Sequence, residues 1–139
     1  MKAAVCVETN SPLVIEDIPV PEPRDGEVLV HNTACGVCHT DLHVMKAEVA
    51  FPLPGVLGHE ISGVVAEVGR GVTHVRPGDR VVGSFIMPCG ACENCARGME
   101  DICSTFFEFN RLRGTLYDGE TRLHRVDGLQ HLLDLGPVV

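Results

Sequence analysis

The chain contains no tryptophan and a single tyrosine. Large aromatic anchors, which dominate the energetics of many protein interfaces, are therefore scarce. Basic charge is thin: 11 Lys and Arg stand against 19 Asp and Glu, a formal net charge of −8. That balance excludes wrapping of a phosphate backbone, which needs clustered Lys and Arg. No stretch approaches the roughly 20 apolar residues of a membrane span. The opening MKAAVCVETNSPLVIEDIPV lacks the long apolar run of a secretory leader. The expected setting is cytoplasmic and reducing, with neither membrane nor nucleic acid as partner. Repeats, low-complexity tracts and linkers are missing too.

What is present is sulfur. Seven cysteines accompany seven histidines in 139 residues. An odd count of thiols cannot pair completely within one chain, and in a reducing compartment clustered cysteines more often bind metal or catalyse than form disulfides. The length is that of one domain, long enough to hide roughly two-thirds of the surface its unfolded form exposes. Hydrophobic residues at 45% and charged residues at 22% argue against disorder.

The 15 glycines and 9 prolines punctuate a series of short strands. Strands are predicted over Lys2–Val7, Leu13–Ile18, Glu27–Cys35, Ile61–Val68 and Arg80–Phe85, with weaker ones over Thr115–Tyr117 and Thr121–Val126 about an Asp118-Gly119 turn. Pro19, Pro21 and Pro23 make an extended connection. Thr40–Ala47 has neither Gly nor Pro and predicts a short helix with Thr40 or Asp41 as N-cap. Phe51–Gly58 is expected to be loop, and Gly128–Val139 has no clear period. The pattern is that of a mainly-β barrel or sandwich.

Cys89-x2-Cys92-x2-Cys95-x7-Cys103 carries the strongest chemical signal. Structural zinc takes four soft ligands in a tetrahedron, and two-residue gaps let a looping backbone turn successive thiolates inward. Gly90 and Gly98 give that loop freedom. Four cysteines imply a closed site that stabilises a lobe rather than performing chemistry. Redox or disulfide cysteines and an iron–sulfur cluster are the competing readings.

The second constellation is Cys35-Gly-Val-Cys38-His39-Thr40-Asp41-Leu-His43, followed by Gly58-His59-Glu60. It offers a thiolate, an imidazole and a carboxylate, the ligand types of an open zinc site. Spacing alone does not bring Cys38 to His59, and Cys35-x2-Cys38 also reads as a redox pair.

CGVCHTDLH, then GHE, then CGxCxxCxxG…C, together with the opening MKAAV and the PGDRV turn, resembles the zinc-dependent alcohol dehydrogenases of the medium-chain dehydrogenase/reductase superfamily. The resemblance implies a GroES-like β-barrel with short helices and a zinc-binding lobe at about residues 87–105. It implies Cys38 and His59 as catalytic-zinc ligands, with Glu60 able to approach the same ion. Asp41 would orient the ligand histidine, Thr40 would accept the alcohol's proton, and His43 would pass it to solvent. His39 would contact the cofactor pyrophosphate, and Cys89, Cys92, Cys95 and Cys103 would hold structural zinc. The implied reaction interconverts alcohols with aldehydes or ketones using NAD or NADP, in an enzyme that is a dimer or tetramer.

That chemistry is coherent. Zinc favours loss of the alcohol proton near neutral pH, a threonine hydroxyl is too weak a base to keep it, and an imidazole with an ordinary pKa near 6.5 exchanges it readily. Two parts of the family pattern are missing: no cysteine follows Cys103, and no G-x-G-x-x-G fingerprint occurs. Gly69-Arg-Gly71 reads as a turn. The expectation is one GroES-like domain over residues 1–139 without its Rossmann domain, binding zinc but inactive by itself. The alternative is a non-catalytic zinc-binding module using only the four-cysteine site. Cys6 and Cys35 are expected to be small buried residues, and His31, His74, His124 and His131 surface or loop histidines. Phe106, Phe107 and Phe109 should pack a core or interface, and Arg111, Arg113, Arg122 and Arg125 should form a solvated face.

Overall fold

The apolar runs at the two ends of the chain meet in one sheet. The structure, a computed structural model, describes residues 1–126 and 131–134. Strand β1 (Lys2–Cys6) pairs antiparallel with β2 (Val14–Asp17), so that Lys2 faces Asp17 and Val5 faces Val14. β1 also pairs with β4 (Gly55–Val56), and β8 (His131–Asp134) joins β4 in parallel and β7 (Leu123–His124) antiparallel. The sheet order is β2-β1-β4-β8-β7. Alternation along β1 buries Ala3 and Val5, which pack with Ile18 and Leu123 against half-buried Val56. Each such aliphatic side chain contributes about 1.5–3 kcal/mol when fully buried.

The second sheet, in the order β3-β5-β6, brings the segments around Cys38 and His59 together at one end. β3 (Val28–Gly36) and β5 (Glu60–Val68) run antiparallel from Val28 opposite Val68 to Gly36 opposite Glu60, and β6 (Arg80–Val82) pairs along β5. Two register shifts bend the β3–β5 ribbon, as bulges do. The chain leaves β3 at Gly36 and, after Val37 and Cys38, enters helix α1 (His39–Met45). Further on lie the short helices α2 (Glu93–Ala96) and α3 (Ser104–Phe106), the latter continuing into a π-helical turn over Phe107–Arg111. The molecule is thus mostly strands in antiparallel sheets with few short helices. Among the described residues the two sheets share no strand, and no helix is long and apolar enough to cross a membrane.

Several expectations shift. Cys38, not Thr40 or Asp41, is the N-cap of α1; Asp41 sits at the third helical position and its carboxylate accepts from the Cys38 N–H at 3.0 Å. The predicted loop over 51–58 contains β4. Thr115–Tyr117 is not a strand. It is held as a turn in which the Leu116 N–H donates to the Glu120 carbonyl and the Tyr117 hydroxyl to the Met87 carbonyl. Only Leu123–His124 of the last predicted strand pairs. Cys6 is buried, but Cys35 is exposed, because the second half of β3 has no covering layer among the described residues. Arg122 is no part of a solvated face: its side chain is 7% exposed and ion-paired to Glu27 and Asp118. His31 and His74 are exposed and His124 is half-buried. The expectation for Gly128–Val139 lies largely outside the described residues.

Candidate metal centres

The four-cysteine loop closes on itself. The ligand sulfurs of Cys89, Cys92, Cys95 and Cys103 all lie within 4.8 Å of one another. Cys92 Sγ is 3.5 Å from Cys95 Sγ and 3.8 Å from Cys103 Sγ. A tetrahedron with Zn–S near 2.3 Å has S···S edges of about 3.8 Å, so the cradle fits zinc. Backbone N–H groups aim at the sulfurs: Cys92 donates to Cys89 Sγ at 3.3 Å, and Cys89 and Phe106 both donate to Cys103 Sγ at 3.4 Å. Hydrogen bonds of this kind favour the thiolate over the thiol. Hydrogen bonding from the Cys95 backbone, then from Ser104, holds the Cys92 thiol down to about 5. Burial, with Cys92 alongside, pushes Cys95 up to about 12. Fully buried Phe106 packs on Cys95 and Cys103 and meets Phe85 edge-on at 5.7 Å. Phe107 is exposed, and Phe109 lies under the Arg113 guanidinium at 4.9 Å.

The second cluster depends on pairing distant in sequence. Because Gly36 opposes Glu60 in the β3–β5 ladder, Cys38 just beyond β3 arrives beside His59 and Glu60 at the start of β5. One ligand atom from each of the three lies within 4.8 Å of the others. A Cβ at Gly36 would fall 2.2 Å from Glu60 Oε2, so a side chain there would push that carboxylate out of its present place. Gly58 takes a positive φ of 111° just before His59, a conformation side chains rarely adopt. His59 is 3% exposed and its ring packs at a tilt against Phe85, centroids 4.2 Å apart. Asp41 Oδ1 stands 3.4 Å from His59 Nδ1 without hydrogen-bonding geometry, so the buried nitrogen has no hydrogen-bond partner among the described residues. Asp41 also accepts from the Gly58 N–H at 3.2 Å, tying α1 to the turn before β5.

Thr40 Oγ1 lies 3.6 Å from Cys38 Sγ. Cys38, Thr40, His59, Glu60 and Phe85 together line an open cleft of about 470 Å³. The His43 and His39 rings meet at a tilt, centroids 4.7 Å apart, on the exposed side of α1, and His43 Nδ1 hydrogen-bonds Glu48 Oε2. A larger cavity, about 1000 Å³, lies between residues 24–28 and Leu116–Asp118 and is lined by neither cysteine cluster. Its wall includes the Arg122 ion-pair network and holds no residue of either candidate metal cluster, so size alone does not mark the candidate site. The Gly69–Gly71 segment is a turn whose Gly69 packs on the Arg24 carbonyl.

Two neighbours of the site had no sequence signal. Phe85 stands between the two cysteine clusters, touching His59 and Phe106. Glu48 meets His43 five residues along the chain. Neither spacing nor residue type distinguishes them from an ordinary strand aromatic and an ordinary surface acid.

The alcohol dehydrogenase GroES-like domain model matches residues 24–127. The chain belongs to that family. It is 45% identical over 124 residues to the NDMA-dependent alcohol dehydrogenase of Amycolatopsis methanolica, covering 89% of this chain and 33% of that one. Among solved structures, it is similar to an alcohol dehydrogenase zinc-binding domain protein from Burkholderia ambifaria. That match has a TM-score of 0.88 and 41% identity, over 97% of this chain and 36% of the other. It is also similar to the benzyl alcohol dehydrogenase of Acinetobacter calcoaceticus, with a TM-score of 0.85 and 35% identity, over 99% and 35% of the two chains. The chain thus spans about a third of the length of these alcohol dehydrogenase relatives.

Proposed function

We propose that the chain is the zinc-binding catalytic domain of an alcohol dehydrogenase that interconverts alcohols with aldehydes or ketones using NAD or NADP. One observation carries this: Cys38, His59 and Glu60 converge at the mouth of a cleft that also holds Thr40. Zinc supplies Lewis acidity that eases loss of an alcohol proton near neutral pH, and the nicotinamide accepts hydride. The residues do the rest. Cys38 and His59 hold the metal, with Glu60 within reach as an exchangeable ligand. Asp41 fixes the turn that presents His59 and faces its Nδ1, the arrangement that sets a ligand histidine's orientation. Thr40 takes the substrate's proton and His43 carries it outward. His39, exposed beside His43, contacts the cofactor pyrophosphate. Cys89, Cys92, Cys95 and Cys103 hold a second zinc that stiffens the lobe at about residues 87–105.

In this reading residues 1–139 form one GroES-like unit, with both sheets as walls of its barrel, and the whole enzyme is a dimer or tetramer. Because the chain spans a third of its relatives' length and has no cysteine after Cys103, the chain alone is expected to bind metal with little turnover. Robust NAD-dependent oxidation of benzyl alcohol by this chain alone would overturn that expectation. The competing reading, a zinc module using only the four-cysteine site, is separated by cobalt(II) loading. A site with one thiolate and a site with four have different absorption. Cys38→Ser should remove one band set and keep the other. An unchanged spectrum in Cys38→Ser would favour the module and sink the catalytic reading.

A further inference from the structure

Helix α1 ends in a Schellman motif. With Lys46 as C-cap, the Glu48 N–H donates to the His43 carbonyl at 2.9 Å and the Ala47 N–H to the Val44 carbonyl at 3.0 Å. These are the two bonds that define the motif. Ala47 occupies its left-handed position with φ 59°, where glycine is the usual residue and a methyl group carries strain. The geometric consequence is that Glu48 is folded back over His43. An apolar pair commonly fills these two positions. Here a carboxylate and an imidazole do, joined through His43 Nδ1 and Glu48 Oε2. The side chains are 41% and 51% exposed, so hydrophobic packing does not account for the contact. The His39 ring lies tilted against that of His43, with centroids 4.7 Å apart. Among the described residues, Lys46 and His39 are the other charged or titratable groups acting on Glu48, whose carboxyl is held below its usual range first by the His43 hydrogen bond.

We propose that Glu48 is a positioning residue for His43: its carboxylate accepts the Nδ1–H and leaves Nε2 as the nitrogen that takes and returns the relay proton. This rests on the dehydrogenase reading above. A proton arriving at Nε2 makes an imidazolium whose charge faces Glu48. Its release from Nε2 to water restores the neutral Nδ1–H ring, so no proton is gained or lost over the cycle. A carboxylate that accepts from one imidazole nitrogen settles which nitrogen remains basic.

Nitrogen-15 NMR of the ring reads the tautomer directly on the intact chain. In the parent at alkaline pH, His43 should be protonated mainly on Nδ1. Glu48→Ala should lower the ratio of Nδ1–H to Nε2–H by roughly fivefold, the ratio that one net hydrogen bond of ordinary strength sustains. Glu48→Gln keeps a carbonyl acceptor and should retain the parent tautomer, a rescue that a merely structural role would not produce. A parent His43 protonated mainly on Nε2 overturns the proposal without needing any variant. So does a Glu48→Ala ring with the parent's tautomer ratio. The measurement needs neither zinc nor turnover. Its failure therefore refutes this inference alone, and absence of a cobalt site at Cys38 refutes the reaction reading alone.

Discussion

Asp41 offers the sharpest mutational test, because one carboxylate serves three neighbours. It is 7% exposed and accepts from the Cys38 N–H at 3.0 Å and the Gly58 N–H at 3.2 Å, while facing His59 Nδ1 at 3.4 Å. Asp41→Ala removes a helix-capping bond worth about 1 kcal/mol. It also removes a charge-assisted bond to Gly58 worth about 1.5–3 kcal/mol. The longer second bond belongs at the low end of that range, so the expected loss is about 2.5–3 kcal/mol. At this chain length each kcal/mol moves Tm by roughly 3–5 °C, so circular dichroism should record a fall of roughly 8–15 °C. Asp41→Asn keeps one acceptor oxygen and should lose about half as much. Metal affinity at the Cys38–His59 site, read by competition with a chelator, should drop about 10–100-fold in both variants. An Asp41→Ala protein that melts within about 2 °C of the parent refutes the reasoning, since even one lost cap should exceed that.

Other expectations follow from the same structure. Phe106→Ala empties the fully buried centre of the cysteine lobe and should cost about 3–5 kcal/mol; a denaturant midpoint equal to the parent's would contradict that packing role. Arg122→Ala strips the buried partner from Glu27 and Asp118 and should cost about 2–3 kcal/mol, less than for a wholly buried pair because Asp118 is 40% exposed. Burial raises the Asp118 carboxyl, but hydrogen bonds from Arg122 and the Glu120 N–H outweigh it and hold its pKa below the usual value. A depressed carboxylate stabilises the fold above its unfolded pKa and stops doing so as pH falls through the folded one. The stability gap between parent and Arg122→Ala should therefore narrow below about pH 4; a gap that is constant from neutral to acid pH would show that Asp118 contributes nothing. Ala47→Gly should raise stability by about 0.5 kcal/mol by relieving the left-handed alanine, and a destabilised variant would mean that the methyl group makes a compensating contact.

What could be read from sequence was local. β1, β2, β3 and β5 lie within two residues of their predicted bounds: β1 is a short apolar run, and β2, β3 and β5 have Pro or Gly close to their borders. The cysteine loop was legible for the same reason: its four ligands fall within 15 residues. The meeting of Cys38 with His59 was not, since it depends on the register that sets Gly36 opposite Glu60. β4 is two residues long and exists only through its partners, so no periodicity announces it, whereas β7 falls inside the strand predicted over Thr121–Val126, of which Leu123–His124 pair. The N-cap of α1 moved to Cys38 because Asp41 works from the third helical position, a choice that residue preference alone does not resolve. Buried Arg122 read as surface because its carboxylate partner Glu27 lies 95 residues away.

The central claim is that this chain builds two separate metal sites, one from four cysteines and one from Cys38, His59 and Glu60. Zinc content per chain after exhaustive dialysis tests it most directly. The account predicts two zinc ions in the parent, with Cys38→Ser and Cys95→Ser each losing a different one. One zinc in the parent, retained in Cys38→Ser and lost in Cys95→Ser, would contradict it.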